Sequence, residues 1–386
     1  MPSVGGMRLP STVPAPTPED FTSPVHHRAV VVRLGLWLAV TFTVCFATGL
    51  VSHLHQHPVG WLPLPTSPAW GYRVTQGVHV ASGTASVPLL LAKLYAAYPR
   101  LFERPVLGSP LRMLERVSVA VLVASSILMV TSGVANVAQW YVFGFGFTRV
   151  HWAFAWVTVG ALAVHVAVKL PAVREAFAEG DRTAVAQEGR RAFVVGSLAV
   201  AAGAVLLTVG SSVRPLEGVS LLRSRRPSTS PLGVPVNRTA AAAGIPDTVD
   251  PSDDESWLLV LRGPRSELTL SAAQVRELPV RTVNLPIACV EGWSTGATWV
   301  GVRLADLLEM VGGVAGDVRV VSAERRGTYR ESVLPREFAA HPETLLAMSL
   351  NGRRLTRDHG FPLRLIAPDR PGVLQTKWVQ RLEVLQ

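Results

Sequence analysis

The stretch Asn284-Leu285-Pro286-Ile287-Ala288-Cys289-Val290-Glu291-Gly292-Trp293-Ser294-Thr295-Gly296-Ala297-Thr298-Trp299-Val300-Gly301-Val302-Arg303-Leu304 decides how this chain folds and what it carries. Its first part reads as a β-rich run, and Cys289 ends that strand and enters a glycine-containing loop flanked by Trp293 and Trp299. Cys289 is one of two cysteines in 386 residues, and the other, Cys45, lies in an apolar run. So few cysteines exclude a disulfide scaffold and a zinc–cysteine module. Three readings of Cys289 stand side by side. It is a soft thiolate ligand for a metal centre, an inert buried side chain, or a nucleophile paired with His341 or His359.

Around this stretch, from Trp257 onward, short β-rich runs alternate with turn signals: Trp257–Leu261, Arg281–Cys289, Val318–Ser322 and Pro362–Ala367. Arg303–Val311 reads as a short helix. Strands and long helices do not alternate, so an α+β domain is expected rather than a doubly wound sheet. Before Val213 the composition is different. The whole chain is 48% hydrophobic and 17% charged, which excludes a disordered chain and argues against a fully soluble enzyme. Five runs reach the ~20 residues that a membrane span needs. They are Ala29–Val51, Val74–Tyr95, Val117–Ala138, Val150–Leu170 and Ala192–Ser211.

Lysine and arginine set the orientation. With the N-terminus in the cytoplasm, that side holds Arg8, Arg28 and Arg33, then Lys93, Arg100, Arg104, Arg112 and Arg116, then Lys169, Arg174, Arg182, Arg190 and Arg191. The opposite side holds only Arg73 and Arg149. A multi-pass cell-membrane protein is expected, with an extracytoplasmic C-terminal domain. Much of the net charge of +10 is therefore topology signal, and no nucleic-acid role is expected. The expected plan is a Pro-rich, disordered cytoplasmic N-terminus (1–28), a five-helix membrane domain (29–211), a linker (212–235) and the outer domain (236–386). The fifth span opens Gly189-Arg190-Arg191-Ala192-Phe193-Val194-Val195. That opening resembles a twin-arginine translocation signal, which implies an outer domain folded around its cofactor before export. Two ordinary positive-inside arginines are the plain alternative.

The run Cys289-Val290-Glu291-Gly292-Trp293, continued by Trp299-Val300-Gly301-Val302 and Leu304, resembles the molybdenum-binding segment of the sulfite-oxidase-type molybdopterin fold. It is most similar to the branch containing the periplasmic methionine-sulfoxide reductase catalytic subunit. The tail Asn351-Gly352, Asp358-His359-Gly360-Phe361-Pro362-Leu363-Arg364 and Lys377-Trp378 is similar to that family's second signature. The resemblance implies that Cys289 is the catalytic protein thiolate on molybdenum. It also implies that His359, Arg364 and Lys377 hold the pterin and its phosphate, chemistry that suits Arg and Lys donors. Asn237, in Asn237-Arg238-Thr239, resembles an element entering the cofactor pocket. The ordinary alternative for Arg364 and Lys377 is a solvated charge. Sulfite oxidases proper carry a further C-terminal dimerisation domain, which this sequence, ending at Gln386, is expected to lack. Their substrate-binding arginines are not matched either, which leaves sulfite in question as the substrate.

Histidines inside apolar spans are costly and usually functional. His79 stands about 9 Å into the second span, and His151 opens the fourth at the same side. His165 follows 14 residues later, on the same helix face and roughly 21 Å away. This arrangement resembles the b-type cytochrome subunits of hydrogenases and formate dehydrogenases. It implies haem b, with His79 and His151 as iron ligands of an outer haem and His165 serving an inner one. Gly77, Gly83 and Gly160 leave space for a macrocycle. The expected inner partner position, 34, is Leu, while His26 and His27 lie earlier. His53, with His55 and His57, could bind haem or a quinone, or sit at the interface. Each histidine has the bland alternative of a buried ring bonded to a backbone carbonyl. Asn136, Gln139, Trp140 and Tyr141 form a polar-aromatic end to the third span, and an interfacial belt is the simpler account of the aromatic pair.

The expected function is a membrane-bound, molybdopterin-dependent oxidoreductase. It transfers an oxygen atom to or from a small substrate and exchanges electrons through the membrane domain with a quinone, quinol or electron-transfer partner. The competing class is a non-catalytic membrane electron-transfer or binding protein that kept the fold.

Overall fold

The computed structural model describes residues 16–105, 108–140, 146–178, 188–223, 225–247, 249 and 255–385. Residues 1–15, Tyr141 and Arg182, about which the sequence raises expectations, lie outside the described residues.

Five long helices come first: α1 (Arg28–Gln56), α2 (Gly71–Ala97), α3 (Pro110–Val137), α4 (Phe147–Ala178) and α5 (Glu188–Val209). All five are long and apolar enough to cross a membrane. Their apolar residues run all round each helix rather than along one stripe, so packing alone cannot cover them. Leu36, Trp37, Val121, Val157 and Val200 remain exposed. Helix lengths exceed the expected runs because polar first and last turns extend the apolar centres, as Glu188-Gly189-Arg190-Arg191 does for α5.

The C-terminal region carries two five-stranded sheets and four short helices, α6 (Ala240–Ala243), α7 (Ala272–Glu277), α8 (Leu304–Glu309) and α9 (Arg336–Ala340). The first sheet contains β1 (Leu258–Arg262), β2 (Glu267–Ser271), β5 (Val318–Ser322), β6 (Glu331–Leu334) and β10 (Val379–Val384). Its order is β2-β1-β10-β5-β6, with β1 and β10 parallel. The second contains β3 (Val280–Ala288), β4 (Ser294–Arg303), β7 (Leu345–Leu350), β8 (Arg353–Arg354) and β9 (Arg364–Ile366). Its order is β3-β4-β7-β8, with β9 paired to β7. Strand alternation sets the cores. Leu259 and Leu261 of β1 turn inward with Leu304, Leu307, Val318 and Leu382. Val283, Leu285 and Ile287 of β3 turn into a second core with Cys289, Trp293, Trp299 and Leu345.

The mixed α+β expectation and the strand at Val318–Ser322 are observed. The run Pro362–Ala367 narrows to Arg364–Ile366, because Pro362 offers no ladder N–H. β4, β7 and β10 lie beyond the strands read from the sequence; β4 fills the second half of the quoted stretch.

The chain divides into two compact units, and the division cuts across the long helices. One unit is Met1–Val40, Ser86–Met129 and Trp152–Ala201; the other is Thr41–Ala85, Val130–His151 and Ala202–Gln386. Residues 212–235, expected as a linker, fold into short 3-10 turns at Arg214–Leu216, Pro227–Thr229 and Pro231–Gly233. Ser220 within them is fully buried, with its hydroxyl taking Gly210 N–H at 2.6 Å and donating to Leu206 O at 2.8 Å.

Candidate active site

The turn between β3 and β4 presents Cys289. Gly292 N–H donates to Cys289 O at 3.0 Å, and Cys289 N–H donates to Trp293 O at 2.9 Å. Three residues, Val290-Glu291-Gly292, thus close the hairpin, and the third takes a positive φ of 90°, which glycine adopts without strain. Glu291 anchors the turn. Its Oε2 accepts Trp293 Nε1–H and Gln139 Nε2–H at 3.0 Å each and Arg225 Nε–H at 3.2 Å.

Cys289 is 1% exposed. Burial, with the Glu291 charge adding to it, pushes the thiol far above its ordinary pKa, while Arg225 and Lys377 pull the other way. The neutral thiol is thus the stable form unless a metal displaces its proton, as coordination does. Neither candidate histidine supplies a base. His359 Nε2–H donates to Val234 O at 2.9 Å, and its Nδ1 lies 2.7 Å from the Thr356 hydroxyl. Burial pushes His359 down to about 4. His341 Nδ1 accepts Glu343 N–H at 3.2 Å.

Around the thiol the chain buries cations. Arg364, on β9, is 2% exposed, lies over the Trp299 ring at 5.3 Å and donates to His359 O at 3.2 Å. Its Nε is buried without a hydrogen-bond partner. Burial pushes its guanidinium down to about 10, against the pull of Cys289. Lys377 Nζ donates to Arg238 O at 2.8 Å and Asp358 O at 2.7 Å, and burial lowers it well below its ordinary value. Gly360, with φ 103°, lets Lys377 approach; a Cβ there would lie 2.9 Å from Lys377 Cβ. Asn237 is half-buried, between Val234, whose carbonyl takes His359, and Arg238, whose carbonyl takes Lys377.

Of the expected cofactor residues, Cys289, Arg364 and Lys377 come within one another's electrostatic reach. His359, bonded to Val234 O and Thr356, lies within electrostatic reach of Arg364 and Lys377, and its backbone carbonyl accepts the Arg364 guanidinium. Asn351 builds the β7–β8 turn: it and Gly352 take φ 50° and 76°, and its side chain ties Thr298 N–H at 2.9 Å to Leu232 O at 2.6 Å.

Sequence reasoning missed four groups. Tyr329 lies within electrostatic range of Cys289; burial, with the Cys289 charge adding to it, pushes its phenol up. Arg370, buried, donates to Leu374 O and Val333 O. Asp369 accepts Tyr72 N–H. Tyr72, at the start of α2, is 1% exposed and within reach of the Cys289 charge. Asp369-Arg370-Pro371-Gly372 carried a turn signal, and Pro371 bridges Ala288 beside the thiol. Nothing local marked Tyr72 or Tyr329.

Residues 243–386 match the family described as oxidoreductase molybdopterin binding domain. A sulfite oxidase of Arabidopsis thaliana is 31% identical over a stretch covering 33% of this chain and 40% of that protein. A protein of Azospira oryzae named as a protein-methionine-sulfoxide reductase subunit, YedZ1, is 35% identical over 25% of this chain and 36% of its own length. The chain spans less than half the length of these curated relatives. A solved sulfane dehydrogenase SoxCD from Paracoccus pantotrophus aligns with a TM-score of 0.32 at 22% identity, covering 34% of this chain and 39% of that one.

The residues around Cys289 fit a bound molybdopterin. Two buried cations and an unpartnered guanidinium nitrogen beside a buried thiol call for an anionic ligand, since a buried charge is costly unless paired. No cluster of three or more His, Cys, Asp or Glu among the described residues is placed to hold a metal. A metal at Cys289 must therefore bring its other ligands, as one held by a pterin dithiolene does.

A second constellation lies among the long helices. The His79 and His151 rings stand 6.3 Å apart between centroids, close enough to share one metal ion at ~2 Å each. His79 Nδ1–H donates to Cys45 O at 2.8 Å, which leaves Nε2 as the ring's lone-pair nitrogen. His151 Nδ1 lies 3.1 Å from Ser132 Oγ. The glycines beside these rings are Gly49 and Gly133: a Cβ on them would lie 2.8 Å from His79 and 3.8 Å from His151. Gly160 has open space, and Gly77 and Gly83 face Ser212 and Cys45. His165 belongs to the other compact unit, where its Nδ1 is buried without a hydrogen-bond partner and Lys93, Lys169 and Glu115 lie within electrostatic range. His53 packs against His57, with centroids 4.6 Å apart.

Proposed function

We propose that this chain is a membrane-bound, molybdopterin-dependent oxidoreductase that moves an oxygen atom from an S-oxide or N-oxide, with electrons supplied by membrane quinol. The observation that carries it is Cys289, buried beside Arg364 and Lys377. Bound there, the pterin-held metal supplies the two-electron oxygen exchange. Cys289 is its protein ligand. Arg364 and Lys377 hold the anionic pterin and phosphate. Trp293 and Trp299 exclude water. The likeness to sulfite oxidases supports small-substrate oxygen transfer. The likeness to YedZ1 favours an S-oxide over sulfite. Oxidation of a small substrate would use the same groups in reverse.

The five helices anchor the domain as a multi-pass membrane protein, with the N-terminus cytoplasmic and the molybdopterin domain outside. His79 and His151 bind one haem b: the ring separation and the anchored Nδ1 atoms support this. His165 and His53 remain candidates for an inner haem or quinone site. The Arg190-Arg191 pair directs export of the folded domain.

Metal analysis and a reduced-minus-oxidised spectrum of the intact chain test this reading. Equimolar molybdenum, lost together with sulfoxide turnover in Cys289→Ser, and b-type bands lost in His79→Ala and His151→Ala are expected. Full oxidoreductase turnover in Cys289→Ser sinks the thiolate assignment. Absence of b-type bands from the wild type makes the histidines structural. Molybdenum without turnover on any oxide or small reductant would favour a non-catalytic protein.

A further inference from the structure

The peptide that follows the thiol residue is gripped from two helices at once. Val290 O accepts Gln76 Nε2–H of α2 at 3.2 Å and Asn136 Nδ2–H of α3 at 2.9 Å. On α2, Gln76 stands one turn before His79. On α3, Asn136 stands one turn after Ser132, whose hydroxyl meets His151 Nδ1. Gly292, two residues further along the turn, lies against Val80, the residue next to His79; a Cβ at Gly292 would come 2.8 Å from Val80 Cγ2. Gly292 O also accepts Ser212 Oγ–H at 2.9 Å and Ser211 Oγ–H at 3.3 Å.

Holding a hairpin turn in place requires no particular donor. Here the two amides that converge on one carbonyl come from α2, which carries His79, and from α3, whose Ser132 hydroxyl meets His151 of α4. Electrons tunnel more readily through bonds and hydrogen bonds than across gaps, and each amide offers an unbroken path of that kind. We infer that Gln76 and Asn136 are positioning residues for electron transfer, joining the His79–His151 pair to Cys289 through the Val290 carbonyl. The inference rests on the haem and molybdopterin reading above. In the reducing direction a quinol gives up two electrons and two protons and becomes a quinone. The electrons cross the Val290 junction singly. The S-oxide takes both, with two protons from the medium; its S–O bond breaks, giving sulfide and water.

The test uses the full-length, cofactor-loaded protein carrying Gln76→Met, Asn136→Leu or both. The protein is reduced with a quinol analogue, mixed with methionine sulfoxide, and the loss of the reduced b-type band is followed by stopped flow. Reduced methyl viologen, which feeds the outer site directly, drives turnover in parallel. Metal content, haem spectrum and viologen turnover are expected to stay within about twofold of wild type, while band re-oxidation slows by about tenfold or more in the double variant. An unchanged re-oxidation rate overturns the inference. So does an equal fall in viologen turnover, which would mean that the amides only build the site. If the double variant does not accumulate, the single variants decide by the same comparison. Wild type without b-type bands overturns the underlying reading, and the route with it.

Discussion

Asp369 Oδ1 accepts the backbone N–H of Tyr72, across 297 residues of sequence, at the first turn of α2. Gly71 admits the contact, since a Cβ there would lie 2.8 Å from that oxygen. A helix N-terminus favours an anion. Burial outweighs it, and the carboxyl is pushed up to about 6 despite the Tyr72 bond. The folded chain therefore binds a proton that the unfolded chain, with a carboxyl near 3.9, releases. This group's contribution is full below about pH 4 and lost as pH rises through about 6. Asp369→Asn should remove that decline, so its thermal midpoint should vary less than wild type across this window. Parallel pH profiles of the two proteins would count against it.

His359 works with the opposite sign. Its folded value of about 4 lies below the ordinary 6.5. Its contribution is present above about pH 6.5 and lost as pH falls through about 4. His359→Gln should destabilise the domain at neutral pH by ~1–2 kcal/mol through poorer hydrogen bonds, with the difference narrowing towards pH 4. Differential scanning calorimetry at several pH values measures this; a gap that widens in acid contradicts it.

Arg364 is charged, buried and short of a partner for Nε. A buried charge without an anionic partner is costly, so replacing it with an apolar side chain of similar size relieves that cost. Arg364→Met should therefore leave unchanged, or raise, the thermal midpoint of protein made in cells unable to synthesise the pterin. In cells that make it, the same substitution should lower molybdenum content by about tenfold or more. Equal effects in both backgrounds would show that the arginine serves packing alone. Lys377→Met should lower molybdenum content likewise, but it should also cost stability in the pterin-free protein, because Arg238 O and Asp358 O lose their donor.

Glu291 Oε2 receives three donors at 7% exposure of the residue. Glu291→Leu removes the oxygen on which all three donors converge and leaves them buried without an acceptor. A loss of ~2–3 kcal/mol is expected, with altered Trp293 emission because its indole N–H loses its acceptor. Unchanged fluorescence and midpoint would refute the anchoring role.

The long helices, and the strand and glycine loop at Cys289, were legible because their signals are local. Apolar runs of spanning length mark helices wherever they occur, and Val290-Glu291-Gly292 supplies the glycine that the turn needs at positive φ. The Asn351-Gly352 turn was equally local, yet the resemblance had grouped it with the cofactor signature. The bonds of His359 to Val234 O and Thr356 were not legible, because both depend on which distant segments pack against it.

From the order of residues alone came the five apolar helices, the mixed outer domain and Cys289 flanked by two tryptophans. Hydropathy and turn chemistry act over a few neighbours, so one dimension suffices to read them. Folding in three dimensions decided that Gln76, Asn136 and Arg225 would meet the Cys289 turn, that Gly49 and Gly133 rather than Gly77 would flank the histidine rings, and that Arg364 would be buried without a full set of partners. The partner of a buried polar group is set by which distant segments pack together, and nothing in its own neighbourhood encodes that choice.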